Sequence, residues 1–93
     1  MSTFAYACEK IGDAVHTLAT SEGDLRKRLL AAKNYLPMPT IGVPTNLNYD
    51  VDELKSSLTI LGTDPDELRR VAGKLVAVAF RMYEELGIQS PKM

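Results

Sequence analysis

Apolar residues recur every three or four positions over four segments of the chain, a spacing that places them on one face of a helix. In the first segment, residues 3–20, the apolar stripe consists of Phe4, Cys8, Ile11, Val15 and Leu18. The other three predicted helices span residues 22–36, 51–61 and 65–86. The pattern therefore predicts an all-α protein, folded as a compact four-helix bundle.

The last predicted helix has the clearest start and stop signals. Asp64 can cap its first turn, and Pro65 suits the first helical position because no amide donor is needed there. Gly87 can adopt the left-handed conformation that closes a helix, with Ile88 packing back on Tyr83. These signals bound the helix at both ends.

The limits of the second and third helices depend on weaker signals. Ser21 can cap the amide of Asp24, and Pro37 ends the second helix. Asp50 is the expected cap of the third helix, and Gly62 is its expected stop. The short connection between the first two helices predicts an antiparallel hairpin.

A long apolar connection, residues 37–49, joins the second and third helices. Its three prolines are incompatible with a continuous helix. Leu47 and Tyr49 alternate with polar residues, which indicates a short extended stretch. The connection either covers the open end of the core or presents an apolar surface to a partner. Its candidate contact residues are Met38, Ile41 and Val43.

The last helix has an unusually wide apolar face. At about 100° per residue, its apolar positions cover an arc of roughly 200°, against about 100° for an ordinary surface helix. Such an arc must contact more than one neighbour. It predicts either a central position against the other three helices or a subunit interface, by default in a C2 homodimer. The candidate contact residues on this face are Val76, Phe80 and Tyr83.

Length and composition limit the classes of function. The 93 residues have room for one core, so residues 1–93 are predicted to form a single domain. No apolar run reaches the roughly 18 residues that a membrane span requires. The single cysteine cannot form an internal disulfide, which suits a cytoplasmic protein. A formal net charge of -1 gives no overall attraction to nucleic acid or to anionic membranes.

Few residues could carry catalysis or bind a metal. His16 is the only histidine and is expected on the surface, one turn from Asp13. Cys8 belongs to the apolar stripe of the first helix and is expected to be buried. The two do not form a nucleophile and base pair, and they cannot make a zinc site. No catalytic residue, metal ligand, cofactor or small-molecule site is therefore predicted, and a carboxylate-only site between helices or subunits is the remaining enzymatic alternative.

An oxygen-rich run, residues 46–52, invites comparison with a calcium-binding loop. Counted from Asn46, however, the sixth position is Val51 instead of glycine and the twelfth is Ser57 instead of glutamate. We interpret these polar residues as turn and capping residues.

Basic residues form two groups, on the second and fourth predicted helices. If those helices are neighbours, the groups could merge into a nucleic-acid-binding patch made of Arg26, Lys27, Arg28, Arg70, Lys74 and Arg81. Acidic residues spaced three or four positions away would neutralise much of this charge. The fourth helix also begins with Asp66 and Glu67, which would face the phosphates.

The expected function is that of a small non-catalytic protein-interaction or regulatory module, acting as a monomer or a homodimer. Its contacts would come from the apolar connection and from the wide face of the last helix. A nucleic-acid-associated helical module that uses the basic residues is the less favoured alternative.

Overall fold

The part of the chain that the structure describes contains four helices. The computed structural model describes residues 3–36, 43 and 45–87. The helices are α1 (Thr3–Thr20), α2 (Leu25–Lys33), α3 (Thr45–Thr59) and α4 (Pro65–Leu86). The predicted all-α four-helix arrangement is confirmed, and so are the predicted limits of α1 and α4.

The ends of α4 are closed as its sequence predicts. The Asp64 carboxylate accepts a hydrogen bond from the amide of Asp66 at 3.4 Å, and Pro65 follows it in the first turn. At the other end Gly87 has a φ of 86°, a conformation that favours glycine, and its amide donates to the carbonyl of Glu84. The predicted contact of Ile88 lies outside the described residues.

The start of α2 differs from the prediction. The helix begins at Leu25, because Asp24 is the capping residue in place of Ser21. The Asp24 carboxylate accepts from the amide of Lys27 at 2.9 Å. Gly23 has a φ of 106°, so the chain turns there and cannot already be helical. The helix also ends earlier than predicted, because the amides of residues 34–36, which follow Lys33, bond to carbonyls three residues back and no longer four.

α3 begins earlier than predicted and takes up the end of the expected loop. Its first residue is Thr45, which follows the last proline of the connection, so no proline opposes a helix from there on. Leu47 and Val51, four residues apart, are both fully buried. This spacing is that of a helix, so the predicted extended stretch is wrong. Asp50, the expected cap, lies within the helix, which ends at Thr59 before the predicted stop.

The core consists of apolar side chains from all four helices. The largest fully buried side chains include Ile11, Leu29, Leu54, Leu75 and Met82. Among the described residues, no polar or charged side chain is buried. The folded state therefore depends on aliphatic packing, with charged groups confined to the surface.

α4 packs against each of the other three helices. Its buried residues are Leu68, Val71, Leu75, Val78, Ala79 and Met82. Contact with three neighbours accounts for most of the wide apolar arc, as expected for a helix in a central position.

Replacement of a core leucine should destabilise the protein much more than replacement of the exposed isoleucine that follows the same helix. Leu54 is fully buried, whereas Ile60, which follows α3, is 83% exposed. We expect Leu54→Ala to lower the free energy of unfolding by about 2–5 kcal/mol, because it leaves a cavity. Ile60→Ala should change it by less than about 0.5 kcal/mol. Urea unfolding followed by circular dichroism measures both, and equal losses would contradict the assigned core.

Candidate functional site

The residues predicted for protein contacts on the connection are only partly described. Met38 and Ile41 lie outside the described residues. Val43 is 9% exposed and belongs to the apolar core. At this position, therefore, the connection covers the core.

Four partly buried apolar residues form a row along α4, which we call the α4 row: Ala72, Val76, Phe80 and Tyr83. Their spacings of four, four and three residues place them on one side of the helix. Three of them, all except Phe80, pack against the core with part of their surface. The row is the part of the wide α4 face that the other helices leave incompletely covered.

α1 borders the α4 row at Gly12. A Cβ atom at this position would lie 2.5 Å from the hydroxyl oxygen of Tyr83, so a side chain at residue 12 would push the phenol aside. The absence of a side chain lets the ring lie against the α1 backbone. Gly12 therefore sets how closely α1 approaches this end of the row.

The Tyr83 end of the row is acidic. Burial raises the pKa of Tyr83, and the negative charges of Asp13 and Glu9 raise it further. Both carboxylates are exposed on α1, and neither has an ion-pair partner among the described residues. Unpaired negative charge therefore lies beside the C-terminal end of the row.

The opposite end of the row is basic and borders a cavity. Arg69 lies one turn before Ala72, its side chain is 67% exposed, and it pairs with the exposed carboxylate of Asp66. The cavity, about 290 Å³, lies between the starts of α2 and α4 and is lined by Asp24, Leu25, Arg26, Thr63, Pro65, Leu68 and Arg69. Its size is at the lower limit for small-molecule sites. Its lining holds no cysteine, histidine or serine.

The two arginines of α2 donate hydrogen bonds to carbonyl groups of neighbouring segments. Arg26 donates to the carbonyl oxygens of Gly62, at 3.1 Å, and Leu61, at 3.4 Å. Arg28 donates to the carbonyl oxygen of Leu18 at 3.4 Å. The carbonyl groups near the C-terminal ends of α1 and α3 have no amide donor within their own helix, and these arginines donate to them instead. The two guanidinium groups thus hold α2 in place.

Two basic residues of α4 are bound by carboxylates of α3. Lys74 Nζ lies 2.6 Å from Glu53 Oε1, and Arg81 lies 2.7 Å from Asp50 Oδ2. The hydrogen bond from Lys74 lowers the pKa of Glu53 below its ordinary value. Because later residues of α4 pair with earlier residues of α3, the two helices run antiparallel.

The cysteine and the histidine lie apart. Cys8 is buried, with its sulfur 3.6 Å from the carbonyl oxygen of Met82, and burial raises the pKa of its thiol. His16 is exposed and lies about two turns further along α1, roughly 12 Å up the helix axis. Both positions match the prediction. Within the part of the chain that the structure describes, no three His, Cys, Asp or Glu side chains are grouped to hold a metal ion.

Three features of this surface were not predicted from the sequence. The close approach at Gly12 has only a weak signal, a glycine within a helical pattern. The ion pair of Asp50 with Arg81 could not be read from the sequence, because Asp50 also resembles a capping residue. The cavity depends on the relative positions of α2 and α4, which no local pattern encodes.

Comparisons with known proteins add no functional information. No protein family, curated protein or solved structure matches the chain. In residues 3–36 and 45–87, no helix is both long and apolar enough to cross a membrane. We therefore infer function from the geometry of the surface.

The Glu53 carboxylate should contribute stability that is lost in acid. Because its pKa is lower in the folded state than its ordinary value of 4.5, the folded state binds fewer protons than the unfolded state. The contribution is present above the unfolded pKa and disappears as the pH falls through the folded pKa. We expect Glu53→Gln to be less stable than the wild type at about pH 7, with the difference shrinking as the pH falls below 4.5.

Urea unfolding at a series of pH values measures this difference. Glu84→Gln is the matched control, because Glu84 is exposed and has no ion pair in the described part of the chain. A Glu53→Gln difference that does not depend on pH would contradict the assigned pairing with Lys74.

Proposed function

We propose that the protein is a non-catalytic protein-interaction module whose contact surface is the α4 row. The observation that supports the proposal is the incomplete cover of the row. α4 packs against all three other helices, and yet Val76, Phe80 and Tyr83 keep part of their surface exposed. A contiguous row of partly exposed aliphatic and aromatic side chains offers an apolar surface that a partner can cover.

Phe80 is the expected anchor of the contact. It is the large residue near the middle of the row, and it is the member that does not pack against the buried cluster. Burying its remaining apolar surface would contribute roughly 25 cal/mol for each Å² removed from water. Aromatic residues at the centre of a contact commonly account for much of its binding energy.

The non-catalytic part of the proposal is supported by the positions of the reactive side chains. Cys8 is buried, and its raised thiol pKa disfavours the thiolate that a nucleophile needs. His16 is exposed and far from it on the helix surface. The cavity between α2 and α4 is lined by one carboxylate and two guanidinium groups, which do not form an acid and base pair.

Nucleic-acid binding is the alternative function, and the contacts of the basic residues weigh against it. Arg26 and Arg28 donate to backbone carbonyls, and Arg70 pairs with Glu67 at 2.7 Å. Lys74 and Arg81 are bound by α3 in the same way. Of the six basic candidates, Lys27 is the one without a side-chain partner among the described residues. Phosphate binding would therefore have to displace existing bonds.

A labelled duplex and a labelled single strand provide the test of this alternative. Under our proposal, fluorescence anisotropy should show no saturable binding at low salt. Salt-sensitive binding that weakens in Lys27→Gln and Arg70→Gln would favour the nucleic-acid function instead.

Phe80→Asp should abolish partner binding and leave the domain folded. A charge on the α4 row would have to be buried without a partner in any complex, which is strongly unfavourable. Ala77→Asp is the matched control, because Ala77 is exposed on the charged side of the same helix. Circular dichroism and thermal unfolding establish that both variants fold, and Phe80→Ala replaces Phe80→Asp if the charged variant does not.

The measurement is quantitative co-purification from the cells that naturally produce the chain. We expect one set of proteins, copies of the chain included, to be retained by the wild type and by Ala77→Asp but lost with Phe80→Asp. Identical retention by all three proteins would overturn the proposal.

A further inference from the structure

The α4 row has the residue order of a surface that can bind its own copy. Ala72 and Phe80 are each four residues from Val76, and Arg69 and Tyr83 are each seven residues from it. If two α4 helices pack antiparallel with Val76 facing Val76, every residue before Val76 faces the residue equally far after it. Ala72 then faces Phe80 of the other copy, and Arg69 faces Tyr83.

We propose that the partner of the α4 row is a second copy of this chain, packed antiparallel about a twofold axis at Val76. The inference rests on the proposed function of the row and gives the identity of its partner. In a C2 interface each contact occurs twice. If the N-terminal end of the row fits its own C-terminal end in size and charge, the rows of two subunits fit each other when they pack antiparallel.

Side-chain size supports the antiparallel arrangement. Each Phe80 ring would face the methyl group of Ala72, so a large side chain meets a small one on both sides of the axis. Facing positions that alternate large and small residues pack without voids or clashes. A parallel arrangement would instead set Phe80 against Phe80 and leave a gap between the two alanines.

Charge supports the same arrangement. The exposed Arg69 side chain would reach the other copy's Tyr83 ring, beside which the carboxylates of Glu9 and Asp13 lack ion-pair partners among the described residues. A guanidinium group there can stack on the ring and bind the carboxylates. Its present bond to Asp66 is an exposed ion pair, which holds it only weakly.

A parallel arrangement would place like charges together. Arg69 would face Arg69, and the carboxylates at the other end would face each other, which disfavours that orientation. The formal net charge of -1 leaves little overall repulsion between two copies. The charges therefore select the antiparallel orientation without opposing association.

The length of the row sets the expected strength. Together with Arg69, which precedes it, the row extends about 21 Å along the helix. One helix edge of this length belongs to the class of small interfaces that bury less than about 1,200 Å² in total. We therefore expect a dimer that dissociates in the range from about 10 µM to about 1 mM.

Sedimentation equilibrium of the purified full chain is the first test. We expect the average mass of the wild type and of Ala77→Asp to rise from monomer towards dimer over this concentration range. Phe80→Asp, or Phe80→Ala if the charged variant does not fold, should remain monomeric. Arg69→Glu should weaken association about tenfold or more, because it places a negative charge opposite two carboxylates.

A charge reversal tests the geometry. Adding Glu9→Lys and Asp13→Lys to Arg69→Glu restores opposite charges across the proposed interface, so association should return towards the wild-type strength. Failure of the triple variant to recover, with its fold intact by circular dichroism, would overturn the assigned orientation.

A disulfide tests the position of the axis. Val76→Cys should form an intermolecular disulfide under mild oxidation, since two cysteines at a twofold axis lie close together. Ala77→Cys should not. The wild type is a further control, because its Cys8 is buried. Cross-linking of Ala77→Cys in preference to Val76→Cys would also overturn the geometry.

The sedimentation and co-purification results together show whether the homodimer or the proposed function fails. A wild-type chain that stays monomeric at about 1 mM overturns the homodimer. If Phe80→Asp still loses co-purifying proteins in that case, the row binds a different protein and the proposed function stands. If no protein is lost, both are overturned.

Discussion

The burial of α4 against three helices is the interaction on which the rest of the structure depends. Its apolar arc is too wide for one neighbour, so α1, α2 and α3 must all contact it. In the described part of the chain, charged residues are excluded from the core and are available at the surface to fix the neighbouring helices. Glu53 and Asp50 of α3 bind Lys74 and Arg81 of α4, whereas Arg26 holds the start of α2 against the connection between them.

The sequence predicted an element well where local signals agreed. The limits of α4 follow from a capping aspartate, a proline and a glycine at the proper positions, and the stripe of α1 has a single period. The sequence predicted the limits of α2 and α3 poorly, because two local signals competed there. Ser21 and Asp24 can both cap a helix, and Gly23 decides between them through its backbone conformation. Leu47 fits both a strand and a helix period, and burial beside Val51 decides for the helix.

The candidate surface could be predicted only in part, for a different reason. The width of the apolar arc on α4 is a property of one helix and can be counted from the sequence. Which edge of that arc stays open depends on where α1 lies, and the close approach at Gly12 and Tyr83 is one of the contacts between the two helices. The pairing of Lys74 with Glu53 likewise depends on the register of two helices far apart in the sequence. Such contacts are tertiary properties without a local signal.

The burial of Cys8 gives this fold a built-in reporter of local motion. The chain has one cysteine, and its sulfur lies on α1 against the Met82 carbonyl of α4. A thiol reagent can reach it only when α1 separates from α4 or when the whole domain unfolds. The labelling rate under native conditions, compared with that in urea, thus gives the free energy of whichever of these two openings costs less. The wild-type protein can be followed in this way without an engineered probe.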